Sequence, residues 1–97
     1  MSYKVLGQSG RVEKSFFEVL NKYTKEEQAK IWHILLENPK GSGSTHWTLK
    51  KVGKSVWQLD LPYGYRLIYT VLDKQQAVLI IFSGNHDDAA TYLRMKK

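Results

Sequence analysis

The chain contains no cysteine, so disulfide staples and thiolate metal sites are excluded and the fold must rest on packing. A cysteine-free chain fits a reducing cytoplasm, the compartment expected here. Long apolar runs are missing too. The most apolar segment, Ala77 to Phe82, is far shorter than the roughly 18–20 residues needed to span a bilayer. Met1-Ser2-Tyr3-Lys4-Val5-Leu6 has none of the extended apolar stretch of a secretory signal, so a protein without a membrane role is expected. Internal repeats and low-complexity tracts are absent, and 97 residues suit one domain over 1–97. Acidic residues are scarce. Nine Asp and Glu stand against fifteen Lys and Arg, a formal charge of +6, which favours polyanionic partners such as RNA or DNA, or an acidic protein segment.

Against these absences, the pattern of apolar residues is informative. Tyr3 to Leu6 reads as a short strand, followed by a turn at Gly7-Gln8-Ser9-Gly10. Val12, Phe16, Leu20 and Tyr23 recur at three- and four-residue intervals and define one stripe of a helix. Thr24-Lys25-Glu26-Glu27 has the form of a capping box, and a second helix is expected from about Lys25 to Glu37. Its stripe is Gln28, Ile31, Trp32, Leu35 and Leu36, and Asn38-Pro39 stops it. These two helices form an αα-hairpin.

Pro39 to His46 reads as a surface loop. Beyond it the period drops to two: Trp57, Leu59 and Leu61 alternate with Gln58 and Asp60, the mark of a half-buried strand. Pro62-Tyr63-Gly64 turns the chain into a second strand, Tyr65 to Leu72, and Asp73 to Gln76 turn it again. Ala77 to Phe82 is apolar at every position, as in a strand covered on both faces. Asp87 and Asp88 then open a last helix that Arg94, Lys96 and Lys97 close, an order that complements the helix dipole. The expected fold is α+β: an N-terminal strand, an αα-hairpin, an antiparallel sheet of three to four strands and a C-terminal helix.

Three groups of residues carry a resemblance. Leu49-Lys50-Lys51 is followed by Val56-Trp57-Gln58-Leu59-Asp60-Leu61 and then Gly64-Tyr65-Arg66-Leu67-Ile68-Tyr69; Gly84-Asn85-His86-Asp87-Asp88-Ala89 ends the last strand. Together they resemble the RelE/ParE toxins of type II toxin–antitoxin systems, RelE-like members in particular, along nearly the whole chain. The resemblance implies a toxin held inactive by a cognate antitoxin protein, in a heterotetramer or higher complex. It also implies an mRNA endonuclease (mRNA interferase) that acts at the ribosome and inhibits translation without a cofactor or metal. Two alternatives follow from the same likeness: a ParE-like DNA gyrase inhibitor, or a catalytically weakened toxin that serves as an antitoxin-binding module.

Cleavage at a 2′-hydroxyl needs a base for that hydroxyl, positive charge on the phosphate and an acid for the leaving oxygen. By the resemblance, Arg66 stands where the phosphate-binding arginine belongs, and a guanidinium fork suits phosphate oxygens. His86 stands where some relatives place a catalytic histidine, and imidazole is a common proton-transfer group. Lys50 and Lys51 match the leucine–lysine segment, with Lys54 in the next turn, and form a candidate RNA-binding group. His46 lies near a general-base position of some members. Other positions depart from the pattern. Gln58 and Asp60 stand where strong nucleases alternate lysines, and Asp60 repels phosphate unless it serves as a base. Ala89 and Ala90 occupy the place of a helix tyrosine for which Tyr92, one step on, is the candidate substitute. His33, His46 and His86 lack zinc-ligand spacing, and Gly41-Ser42-Gly43-Ser44 lacks the lysine of a phosphate-cradling loop.

Overall fold

The computed structural model describes residues 3–41 and 47–95. Strand β1 (Lys4–Gly7) leads into helices α1 (Gly10–Leu20) and α2 (Lys25–Glu37). Strands β2 (Leu49–Gly53), β3 (Val56–Asp60), β4 (Tyr65–Leu72) and β5 (Ala77–Asn85) follow, and helix α3 (His86–Met95) ends the described chain. The strands form a single sheet in the order β1-β5-β4-β3-β2. β2 to β5 make an antiparallel meander, while β1 pairs in parallel with β5.

The helices start where side chains can satisfy their orphan amides. Ser9 accepts from the Val12 amide at 3.3 Å and opens α1. At α2 the capping box is complete: the Glu27 amide donates to Thr24 Oγ1 at 3.2 Å, and the Thr24 amide donates to Glu27 Oε1 at 2.9 Å. Gln28, placed on the inward stripe of α2, uses its amide rather than an apolar surface. Its Nε2 donates to the carbonyls of Leu20 at 2.9 Å and Tyr23 at 3.1 Å, tying the end of α1 to the start of α2.

Phe16, Val19, Leu20, Tyr23, Ile31, Ile34 and Leu35 of the helical hairpin pack on Leu59, Leu67, Tyr69, Val71, Val78 and Ile80 of the sheet to form the core. The Phe16 and Trp32 rings meet edge to face, with centroids 5.5 Å apart. The opposite face of the sheet is partly covered by α3, which packs against β4 and β5. There the Tyr92 ring lies 5.2 Å from that of Phe82, and Ala89 is buried. No helix among the described residues is long and apolar enough to cross a membrane.

The α+β order, both αα-hairpin helices and an antiparallel part of four strands beside the N-terminal strand match the sequence expectation. Leu49–Gly53, not read as a strand from its sequence pattern, pairs with β3 as the edge strand. Two adjacent lysines break its apolar alternation, so period counting passes over it, but exposed lysines are also what an open sheet edge requires to deter further pairing. The parallel β1–β5 pairing makes the sheet mixed. Pairing direction depends on how the chain crosses over, which a four-residue strand does not encode in its side chains.

Candidate functional site

Because side chains opposite one another in register share a face, the pairing tables place the candidate residues directly. Arg66 on β4 stands opposite Asp60 on β3 and Gly84 on β5. One step along the same face lies a row of Lys50, Gln58, Ile68 and Phe82. His86, two residues beyond Gly84, is the first residue of α3 and is exposed. Strand β5 passes into α3 without an intervening loop, so His86 is delivered to the end of the sheet where Arg66 stands. It does not cap the helix: Asn85 Oδ1 takes that role, accepting from the Asp88 amide at 2.8 Å.

Arg66 is already engaged. Its Nε lies 3.0 Å from Asp60 Oδ1, and both side chains are largely withdrawn from solvent, at 18% and 25% exposure. Nη1 donates to the Tyr65 carbonyl at 3.2 Å. Gln58, which is buried, donates from Nε2 to the same Asp60 oxygen at 2.9 Å. Gln58 and Asp60, the two departures from the lysine pattern, thus act together: the amide holds the carboxylate, and the carboxylate neutralises the guanidinium. An anion that reaches Arg66 has to share it with Asp60 or displace it.

The other candidates divide. Lys50 faces the same side as Arg66 from the outer strand and is exposed. Lys51 is in register with Trp57 and Tyr69, on the opposite face, with Nζ 5.9 Å from the centre of the Trp57 ring. Lys54 lies in the β2–β3 turn, at the far end of β3 from Asp60 and not beside Arg66. Tyr92 is half-buried with its ring against Phe82. His46 falls outside the described residues.

Beside the Arg66 end of the sheet lies an aromatic cluster that the sequence patterns did not single out. Tyr23, read there only as a core residue, donates its hydroxyl to the Pro62 carbonyl at 2.6 Å. Burial pushes that hydroxyl well above its ordinary pKa, with Tyr65 and Glu27 adding to the rise, so it stays a neutral donor. Tyr63 stacks on Tyr23 with centroids 5.7 Å apart and rings inclined by 21°. Tyr65 meets Tyr23 edge-on at 6.3 Å, and Lys22 Nζ sits 5.5 Å above the Tyr65 ring. Tyr63 has φ 66° and ψ 22°, a left-handed conformation that costs a non-glycine residue about 1–2 kcal/mol. The signal in the sequence is Tyr63-Gly64-Tyr65, with a bulky ring where turn chemistry favours Gly or Asn.

No protein-family model matches the chain, and no curated protein matches it. Solved structures do. A doubly substituted variant of E. coli toxin RelE, in complex with an antitoxin RelB peptide, superposes with a TM-score of 0.60 at 22% identity, covering 100% of this chain and 97% of that one. The fold is RelE-like. The archaeal RelE–RelB complex from Pyrococcus horikoshii gives a TM-score of 0.58 at 20% identity over 89% of this chain and 97% of the other. The YoeB–YefM complex from Staphylococcus aureus gives 0.58 at 18% identity over 87% and 97%. The RelE-like fold therefore accounts for the whole arrangement of hairpin, mixed sheet and terminal helix.

Proposed function

We propose that this protein is the toxin of a type II toxin–antitoxin pair and cleaves mRNA during translation. One observation carries the reading: the RelE-like sheet brings Arg66 and His86 to the same end, with Lys50 on Arg66's face. In such a site the 2′-oxygen attacks the adjacent phosphorus and the bond from phosphorus to the 5′-oxygen breaks, leaving a cyclic phosphate and a 5′-hydroxyl. Arg66 balances the charge that builds on the phosphate oxygens, and His86 supplies a proton to the departing 5′-oxygen. Asp60 is the carboxylate within reach of Arg66 and the candidate acceptor of the 2′-hydroxyl proton. An antitoxin with acidic character would find a complementary surface on a chain of charge +6.

The test is induced expression followed by mapping of RNA ends. New 5′ ends within coding regions are expected, and Arg66→Ala and His86→Ala should each abolish them and relieve growth arrest while circular dichroism shows an unchanged fold. Toxicity that persists in both variants would reject these roles. The Asp60–Arg66 ion pair favours one second reading, a toxin scaffold that binds its antitoxin without cutting RNA. Expression of the intact chain with neither growth arrest nor new RNA ends would point this way.

A further inference from the structure

Tyr63 is 73% exposed, yet it is not loose. One face of its ring is covered by Tyr23, whose own hydroxyl is anchored on the Pro62 carbonyl of the same turn. The ring edge is steadied by a long contact from the Tyr63 hydroxyl to Glu27 Oε2 at 3.4 Å, and Glu27 is itself fixed in the α2 capping box. The left-handed backbone at Tyr63, followed by Gly64 at φ +83°, keeps the residue standing out from the turn. The other ring face is left to solvent. A large aromatic held rigidly, covered on one side and open on the other, presents a flat π-surface with a polar rim rather than an apolar pocket.

Cations stand near the cluster, although the Tyr63 hydroxyl itself meets Glu27 and Arg66 is paired with Asp60. Lys22 lies over Tyr65, the second ring in contact with Tyr23, and Arg66 is the next residue along β4, bonded to the Tyr65 carbonyl. Tyr65 turns towards the helical hairpin and Arg66 towards the opposite face, so the aromatic cluster and Arg66 flank the same end of the sheet from its two sides. An apolar side chain of a protein partner is best served by a concavity, whereas a nucleobase needs only a planar face to stack on and a cation nearby for its phosphate.

We infer that Tyr63 is a stacking platform for an unpaired base of the RNA strand whose phosphate Arg66 holds, with Lys22 attending a neighbouring phosphate. The assignment rests on the RNA-directed reading above and adds to it a binding residue outside the cleavage chemistry.

Fluorescence anisotropy with a short, labelled single-stranded RNA tests it on the full chain. Base–aromatic stacking of about 1–3 kcal/mol corresponds to roughly 5- to 150-fold in affinity. Tyr63→Ala and Tyr63→Leu are both expected to weaken binding within that range, while Tyr63→Phe and Tyr63→Trp retain it. A scan of single abasic substitutions along the RNA should find one position that weakens binding to the unaltered protein and adds nothing to the loss in Tyr63→Ala. If Tyr63→Ala binds like the unaltered chain while Arg66→Ala is weakened, the platform is wrong and the RNA site stands. If the unaltered chain binds no RNA, or neither substitution matters, the platform falls, while the RNA-directed reading is decided separately by the mapped RNA ends. Loss of antitoxin binding in Tyr63→Ala with RNA affinity intact would make this a protein contact and overturn the inference.

Discussion

Tyr69 brings a hydroxyl into the fully buried centre of the sheet and donates it to the carbonyl of Pro39, itself buried, at 2.5 Å. The bond pins the end of α2 to the middle of β4 across thirty positions of chain. Tyr69→Phe removes the donor and leaves a buried carbonyl without it, so a loss of about 1–3 kcal/mol is expected. In urea this should lower the unfolding midpoint with little change in slope. The same residue gives a pH signature. Burial raises its pKa from the ordinary 10.0, so the folded state holds the phenolic proton more tightly than the unfolded chain. The associated stabilisation is complete below pH 10 and declines as the pH climbs beyond it. Tyr69→Phe should flatten part of that alkaline decline, and Tyr23, whose hydroxyl is shifted in the same direction, contributes to what remains. A decline of equal steepness in both proteins would contradict this assignment.

At the level of elements, α2 depends on the reciprocal bonds between Thr24 and Glu27. Thr24→Ala should cost about 1 kcal/mol, visible as a lower melting temperature. The capping box is also why α2 was legible: Thr24 and Glu27 mark its start and Asn38-Pro39 its end, and the observed limits are Lys25–Glu37. Helix termini are written in local chemistry. Sheet neighbours are not, and β2 shows the consequence, since Lys50 and Lys51 obscure its period although its pairing with β3 is complete enough to set the outer edge. Within the site, Arg66 and His86 were legible through the motifs around them, and their delivery to one end of the sheet follows from the β4–β5 register. The ion pair to Asp60 was foreseeable only as a general alternative for an exposed arginine. Which carboxylate would engage it depends on cross-strand register, information that resides in the assembled sheet.

For the whole molecule, charge and topology together decide which cations act in concert. The excess of six positive charges makes any RNA affinity fall with salt, by a slope of about 0.7 for each single-strand phosphate contacted. Lys50 shares Arg66's face, whereas Lys54 lies at the other end of β3. Lys50→Ala is therefore expected to reduce the slope by about one phosphate's worth, and Lys54→Ala by less, in anisotropy titrations across a salt series. Equal slopes for the two variants would show that position on the sheet is irrelevant and that RNA contacts the basic surface indiscriminately. The pairing of Arg66 with Asp60 bears on this distinction. A carboxylate tethered 3.0 Å from the guanidinium is a resident competitor that dilution never removes. A lone phosphate drifting past meets an occupied site. A strand already gripped at several points presents its phosphate at a comparably high local concentration and can contest the place, so the ion pair sets a threshold that discriminates by avidity rather than by charge.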